Sequence, residues 1–265
     1  MHAIYLDAIK EDPHGLARTA RASVRDACFV SSSKHLLPSV DLFQWLLRFS
    51  SPPDTVTMPL ELATEGVGSA AYLHALAAIC AASKPDQIVE FGTFLGLGTA
   101  TLALNSTANF LTIELPDAPQ PQEIDSLNQA DLSLTVKSRN RVGVCYRGRS
   151  YGQRITEMRC DSRKLDLRDH IPSADLCLID GGHSYECISS DTSNALRALA
   201  PGGIVIWDDY FWMYPDVVRF LNELAKAGYP LVKITGTNLV VYRKEQSAAN
   251  GGVRLTASSR QAKDR

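Results

Sequence analysis

The sequence predicts an α/β fold in which a mostly parallel sheet is covered by helices on both faces. Short apolar runs at 88–91, 110–113, 176–179 and 204–207 lack the alternation of a half-exposed strand, as strands buried on both faces do. Longer helix-like stretches at 64–83, 184–200 and 215–228 separate several of these runs, the order that βαβ units produce.

At 265 residues and 45% hydrophobic, the chain can bury one sizeable core, so one α/β domain with additions is expected. A net charge of −2 gives no argument for nucleic acid or an anionic membrane as partner. No apolar run reaches the ~18 residues of a membrane span. The start, MHAIYLDAIKEDPHG, carries acids early and lacks the apolar centre of a secretion signal. Cys28, Cys80, Cys145, Cys160, Cys177 and Cys187 include no CxxC pair, which suits reduced thiols in a cytoplasmic protein.

Residues 1–60 read as an N-terminal cap. Within it VDLFQWLLRF places Leu42, Trp45, Leu46 and Phe49 on one side of a helix, which Ser51-Pro52-Pro53-Asp54 ends. Shaping a substrate pocket, plain packing and dimer contact all fit such a cap. The helix of 64–83 is apolar over a wide face and stops at Lys84-Pro85. Glu65 near its start suits the helix dipole.

The chain is organised around QIVEFGTFLGLGT, 87–99. A strand here breaks at Gly92, and Gly96 and Gly98 lead into a helix-like TATLALN. Such a turn offers free backbone N–H groups to a ligand, and glycines let the ligand approach the main chain. Glu90, just before the turn, could accept from a cationic or hydroxylated group. A dinucleotide fingerprint fits less well, because Gly96-Leu97-Gly98 begins several residues after the strand and Thr101 stands where the third glycine belongs.

The second strand ends at Glu114, 22 residues after Gly92, where an α/β nucleoside site holds ribose hydroxyls. One carboxylate could take both hydroxyl protons there. The segment 116–153 is irregular. Lys137, Arg139, Arg141, Arg147, Arg149 and Arg154 cluster without an acid, as a solvated face or as a neutraliser of an anionic substrate. A third strand, 155–162, ends in Asp161-Ser162.

In ADLCLIDGGHSYE a strand ends at Asp180, and a turn carries His183. Asp191, inside the following helix, reads as a local hydrogen-bonding residue. After Pro201-Gly202-Gly203 the strand IVIW ends in Asp208-Asp209-Tyr210. Open α/β sheets place their sites at such carboxyl ends. Three carboxylates and a histidine could serve as hard-cation ligands or as an acid/base set. Asp208 and Asp209 converge only if the strand has already ended, since successive strand residues point to opposite faces. A helix from Pro215 to Gly228 and two strands around Gly236-Thr237-Asn238 follow. The last stretch, 245–265, is polar and reads as a disordered tail.

Between about 61 and 244, VEFGTFLG, TIE, RCDS, LIDGGHSYE, LAPGGIVIWDDY and GTNLVVYR together resemble class I S-adenosylmethionine-dependent methyltransferases. Within that superfamily the IDGxHxYE and W-x-D-Y motifs are similar to a group related to macrocin-type O-methyltransferases and cephalosporin hydroxylase. The resemblance implies a Rossmann-like fold of seven strands, six parallel, with the last inserted antiparallel. It implies Glu90, Gly92 and Gly96 around the methionine part of S-adenosylmethionine, Glu114 on its ribose, Asp161 and Ser162 near its adenine, and Glu65, Thr93 and Asp180 among the cofactor-binding residues. It further implies Mg²⁺ on Asp180, Asp208 and Asp209, with His183 and Asp180 as the catalytic residues and His183 as general base. Asp208 stands where the group often has histidine, which favours an all-oxygen site.

The expected activity is methylation of a hydroxyl on a small molecule of sugar or natural-product type, in a protein that could form homo-oligomers. A metal-dependent hydroxylase or hydrolase on the same scaffold, and a non-catalytic adenosylmethionine-binding module, are the alternatives.

Overall fold

The computed structural model describes residues 37–50, 52–59, 69–116, 131, 138 and 140–246. Its strands are β1 (Ser39–Val40), β2 (Gln87–Phe91), β3 (Asn109–Glu114), β4 (Ile155–Arg159), β5 (Ala174–Ile179), β6 (Leu199–Trp207), β7 (Val232–Ile234) and β8 (Val240–Arg243). The α-helices used below are α1 (Leu42–Leu46), α2 (Ala70–Ser83), α3 (Leu97–Leu104), α4 (Tyr185–Ala198) and α5 (Pro215–Lys226).

These strands form one sheet in the order β1-β7-β8-β6-β5-β2-β3-β4. Only β8 is antiparallel to its neighbours. Strands β2 to β8 reproduce the expected seven, with the last inserted antiparallel. The sheet has eight strands because Ser39 and Val40 pair in parallel with Lys233 and Ile234 of β7. A strand of two residues has no apolar run to announce it.

Strand pleating divides the core into two layers. Ile88, Leu176, Leu178, Ile204 and Ile206 face the layer that holds α1, α2 and α3. Val89, Phe91, Cys177, Ile179, Val205 and Trp207 face the layer that holds α4 and α5. Helix α2 is apolar nearly all round because it packs on the sheet and also meets α1 and α3. Ser69 caps it by accepting from the Tyr72 N–H at 3.1 Å, and Lys84 closes it in the left-handed region at φ 49°.

The described part of the expected N-terminal cap is built into this core. Trp45 is 1% exposed and packs in the layer of α2. Removing a ring buried to that degree costs about 3–5 kcal/mol, so α1 is integral to the domain. Helix α3 starts at Leu97, two residues before the expected Thr99, directly after the left-handed Gly96. Cys80 and Cys177 are buried free thiols.

Arg147 pairs with Glu157 at 2.9 Å. Arg154 donates to the carbonyls of Ala108 and Ala103 at 2.7 and 2.8 Å. These two members of the basic run make structural contacts, Arg154 with carbonyls 46 and 51 positions earlier in the chain. Lys137, Arg139 and the tail 247–265 lie outside the described residues.

Candidate active site

Four strand ends assemble the site. The ladder is carried one residue beyond two of them: Asp180 N–H donates to Phe91 O at 2.9 Å, and Asp208 N–H to Ile179 O at 3.0 Å. Strand β6 has ended at Trp207, and Asp209 adopts a left-handed φ of 61°. The backbone turn lets Asp208 and Asp209 converge despite being adjacent. Asp180, Asp208 and Asp209 each offer a carboxylate oxygen within 4.8 Å of the others.

Crowding acids in a desolvated place disfavours the charged form. Burial, then the neighbouring Asp209, pushes Asp180 up to about 7. Burial, then Asp209 and Asp180, raises Asp208 well above an ordinary aspartate. An all-carboxylate donor set fits a hard divalent cation such as Mg²⁺, and such a charge would relieve the repulsion. On donor chemistry the residues fit the ion.

Two residues that the sequence did not single out complete this end. Tyr72, on α2, donates its hydroxyl to Asp180 Oδ2 at 2.8 Å. Asp131 accepts the His183 backbone N–H at 3.1 Å and bonds Nδ1 of the ring. His183 Nε2 lies 2.6 Å from Asp209 Oδ2, and its ring stacks on Tyr214 with centroids 4.0 Å apart. Burial opposes charge on His183, but hydrogen bonds to Asp131 and Asp209 outweigh it and hold the ring protonated well above an ordinary histidine.

The glycine turn departs from expectation in its reason. A Cβ on Gly92 would stand 2.0 Å from the carbonyl oxygen of Asp180. A Cβ on Gly96 would stand 2.6 Å from the Tyr146 ring. Both glycines also have φ near +90° and +80°, a region costly for other residues. They are therefore required by the protein's own packing, before any ligand is considered. The segment after Asn140 backs the turn: Gly143 N–H donates to Phe94 O and Cys145 N–H to Leu95 O, each at 3.0 Å.

Glu114 folds back over this turn. Its Oε2 accepts the N–H groups of Thr93 at 3.1 Å and Phe94 at 2.7 Å, and Oε1 accepts that of Leu115 at 3.0 Å. A carboxylate has about four lone-pair sites, so one remains for a ligand hydroxyl.

Glu90 is 1% exposed and accepts from Thr112 Oγ1 at 2.6 Å and from the Thr99 hydroxyl. Burial pushes it up to about 8, against the lowering by those two hydroxyls. Thr93 joins the same network through Thr112, at 2.6 Å between hydroxyl oxygens.

Asp161 is tied by Arg163, at 2.8 Å to Nε and 2.7 Å to Nη2. Burial of Asp161 is outweighed by that guanidinium, which holds its carboxyl below the usual range. Ser162, which follows it, hydrogen-bonds the side chain of Asp191. The expected local role of Asp191 is thus replaced by a contact from α4 to the end of β4. Asp191 Oδ1 has no hydrogen-bond partner, alone among the buried side-chain polar atoms of the described residues, and burial pushes the acid up to about 7. Glu65 lies outside the described residues. A groove of 580 Å³ lined by Arg163, Ser189, Ser193 and Arg197, among others, shares no residue with the acid cluster.

Residues 89–210 match the sequence model of a family described as a methyltransferase domain. That span contains the glycine turn, Glu114, Asp180, His183 and all three clustered aspartates. Over these residues the chain is similar to a methyltransferase domain. No curated protein matches it in sequence. The SAH-bound methyltransferase PaMTH1 from Podospora anserina is similar in structure, with a TM-score of 0.50 at 13% identity over 85% of this chain and 96% of its own. The O-methyltransferase TomG from Streptomyces achromogenes, solved with SAM and involved in tomaymycin synthesis, gives 0.46 at 15% identity over 83% and 95%. At this identity the likeness to PaMTH1 concerns the fold. Among the described residues no helix is long and apolar enough to cross a membrane.

Proposed function

We propose that the protein transfers a methyl group from S-adenosylmethionine to a hydroxyl of a small molecule, with a divalent cation on Asp180, Asp208 and Asp209. The observation that carries this reading is the convergence of those three carboxylates beside His183, at the carboxyl ends of β5 and β6. The donor would lie across the ends of β2 and β3. Glu114 takes one ribose hydroxyl, Glu90 faces the ammonium of the methionine part, and the Asp161-Ser162 turn lies toward the adenine.

A cation held by the three aspartates would lower the pKa of a coordinated acceptor hydroxyl. Were Asp209 to turn from His183 to the cation, one of the two carboxylates that favour the imidazolium would be lost; the Nε2 proton would then pass to water, and neutral Nε2 could take the acceptor proton while Asp131 keeps Nδ1 as a donor and fixes the ring. The acceptor oxygen then bonds the methyl carbon as the carbon–sulfur bond breaks. The electron pair of that bond stays on sulfur, and neutral adenosylhomocysteine leaves. Much of the rate comes from alignment of the two reactants.

An iron-dependent hydroxylase is disfavoured by the donor set, because its usual triad asks for two histidines and one carboxylate. Calorimetric titration of adenosylmethionine and, separately, of Mn²⁺ tests the proposal. Micromolar-range donor binding is expected, together with metal binding that Asp209→Asn weakens while donor affinity holds. Absence of donor binding by the intact protein would refute the proposal.

A further inference from the structure

Helix α4 sends two buried polar side chains to the segment that follows β4. Asn194 accepts the Leu167 N–H at 3.2 Å and donates to the Ser162 carbonyl at 3.5 Å. Asp191, three residues earlier, is 2% exposed and accepts the Ser162 hydroxyl. Its Oδ1 has no hydrogen bond. Burying an acid with one oxygen unpaired is costly, and an asparagine would fill the same space without the charge. What a carboxylate alone provides is that it only accepts.

That restriction passes to Ser162. Its hydroxyl proton is committed to Asp191, so the lone pairs of its oxygen are left for another partner. Among the described residues no group donates to that oxygen, and the Ser162 N–H donates to none. The half-buried Ser162 thus offers an acceptor and a donor side by side. Asp161 beside it is less available, being 5% exposed. Three of its about four acceptor sites are taken by Arg163, and Lys164 stands 3.6 Å from Oδ2.

Neighbouring strand ends set an order for a donor laid across them. The glycine turn follows β2, and Glu114 ends β3. Cys160 N–H, two residues before Ser162, donates to Glu114 O at 3.0 Å. A methionine part on the first end and a ribose on the second leave the base beside the third.

Resting on the methyltransferase reading, we propose that Ser162, oriented by Asp191, reads the base of the donor. Its N–H meets N1 of adenine, and its Oγ accepts from the 6-amino group. Hypoxanthine reverses both groups, with a proton on N1 and an oxygen on C6. Asp191 is then a positioning residue: it fixes the direction of one hydrogen bond, and with it the choice of an amino over an oxo base.

Burial pushes Asp191 up to about 7, so the test is run at about pH 8.5, where the acid is ionised. The intact protein is titrated calorimetrically with S-adenosylhomocysteine and, separately, with S-inosylhomocysteine, which differs from it only at that base edge. The parent should prefer the adenosyl compound by roughly 100-fold, as for a reversed pair of hydrogen bonds. Asp191→Asn leaves the Ser162 hydroxyl free to turn and should lose about tenfold of that preference. Ser162→Ala should lose as much, and adding Asp191→Asn to it should change the preference no further. A residue that only supports the fold would weaken both compounds alike. Equal binding of the two compounds by the parent overturns the base reading. An undiminished preference in either single variant overturns the positioning role, and Ser162→Ala carries that test alone if Asp191→Asn does not fold. A parent protein that binds neither compound refutes the methyltransferase reading itself, and this proposal with it.

Discussion

The hydroxyl of Tyr72 donates to Asp180 Oδ2 at 2.8 Å, joining helix α2 to the acid at the end of β5. Burial, then the charges of Asp180 and Asp208, raises the phenol well above its usual range, so it stays a donor across the physiological range. The bond fixes the orientation of one proposed cation ligand from behind. Tyr72→Phe should weaken Mn²⁺ binding by roughly 10–100-fold, as loss of a ligand's supporting hydrogen bond does. Calorimetry with the metal alone checks this, and equal affinity in the variant would remove Tyr72 from the site.

Gly92 and Gly148 both have positive φ, but only Gly92 is crowded. A Cβ on Gly92 would meet Asp180 O at 2.0 Å, whereas nothing lies within 4 Å of one on Gly148. Gly148→Ala should cost on the order of 1 kcal/mol, the backbone cost alone. Gly92→Ala should cost several times more and displace Asp180, so both thermal stability and metal binding should drop. Equal denaturation midpoints in the two variants would contradict the packing argument.

Glu114→Gln replaces one acceptor oxygen with an NH₂ group where three backbone N–H groups converge. The turn at Thr93-Phe94 loses a charged acceptor, and a ligand hydroxyl loses its remaining site. Donor affinity should fall by roughly 1.5–3 kcal/mol, as for a hydrogen bond to a charged group. Calorimetric titration of adenosylmethionine gives the number, and an unaltered constant in a folded variant would exclude the contact.

Glu90 sets an expected pH dependence. Its folded-state value of about 8 lies above the ordinary 4.5, burial being the main cause. The folded state therefore binds the proton more tightly than the unfolded chain does. Its contribution to stability is complete below pH 4.5 and is lost as pH rises toward 8. A ligand ammonium beside Glu90 favours the ionised form, so the rise in melting temperature caused by adenosylmethionine should grow over the same window. Glu90→Gln, neutral throughout, should flatten both trends in thermal melts. Melts of the parent that show no such window would leave Glu90 without this role.

The parts legible in the sequence are those whose signal is local. The buried runs at β2, β3, β5 and β6 declared themselves by apolar continuity, and Glu114, Asp180, Asp208 and Asp209 by standing where those runs stop. Tyr72 and Asp131 gave no such signal. Their contacts with Asp180 and His183 span 108 and 52 residues of sequence, and pairing at that range follows from the assembled sheet. The sequence could not show a second reason for Gly92, because its nearest neighbour is the carbonyl of Asp180, 88 residues further along the chain. Strand β1 escaped notice because two residues carry no period.

The pairing of Ser39 with Lys233 also bears on the order in which the sheet can assemble. Strand β2 meets β3 soon after synthesis, but β5 must emerge before the centre closes, and β1 waits for β7 near the end of the described chain. Long-range parallel pairing of this kind makes folding slow. Among the described strands the first to leave the ribosome thus waits for one of the last, and Ser39–Val40 can dock onto a sheet on which the aspartate cluster is already in place.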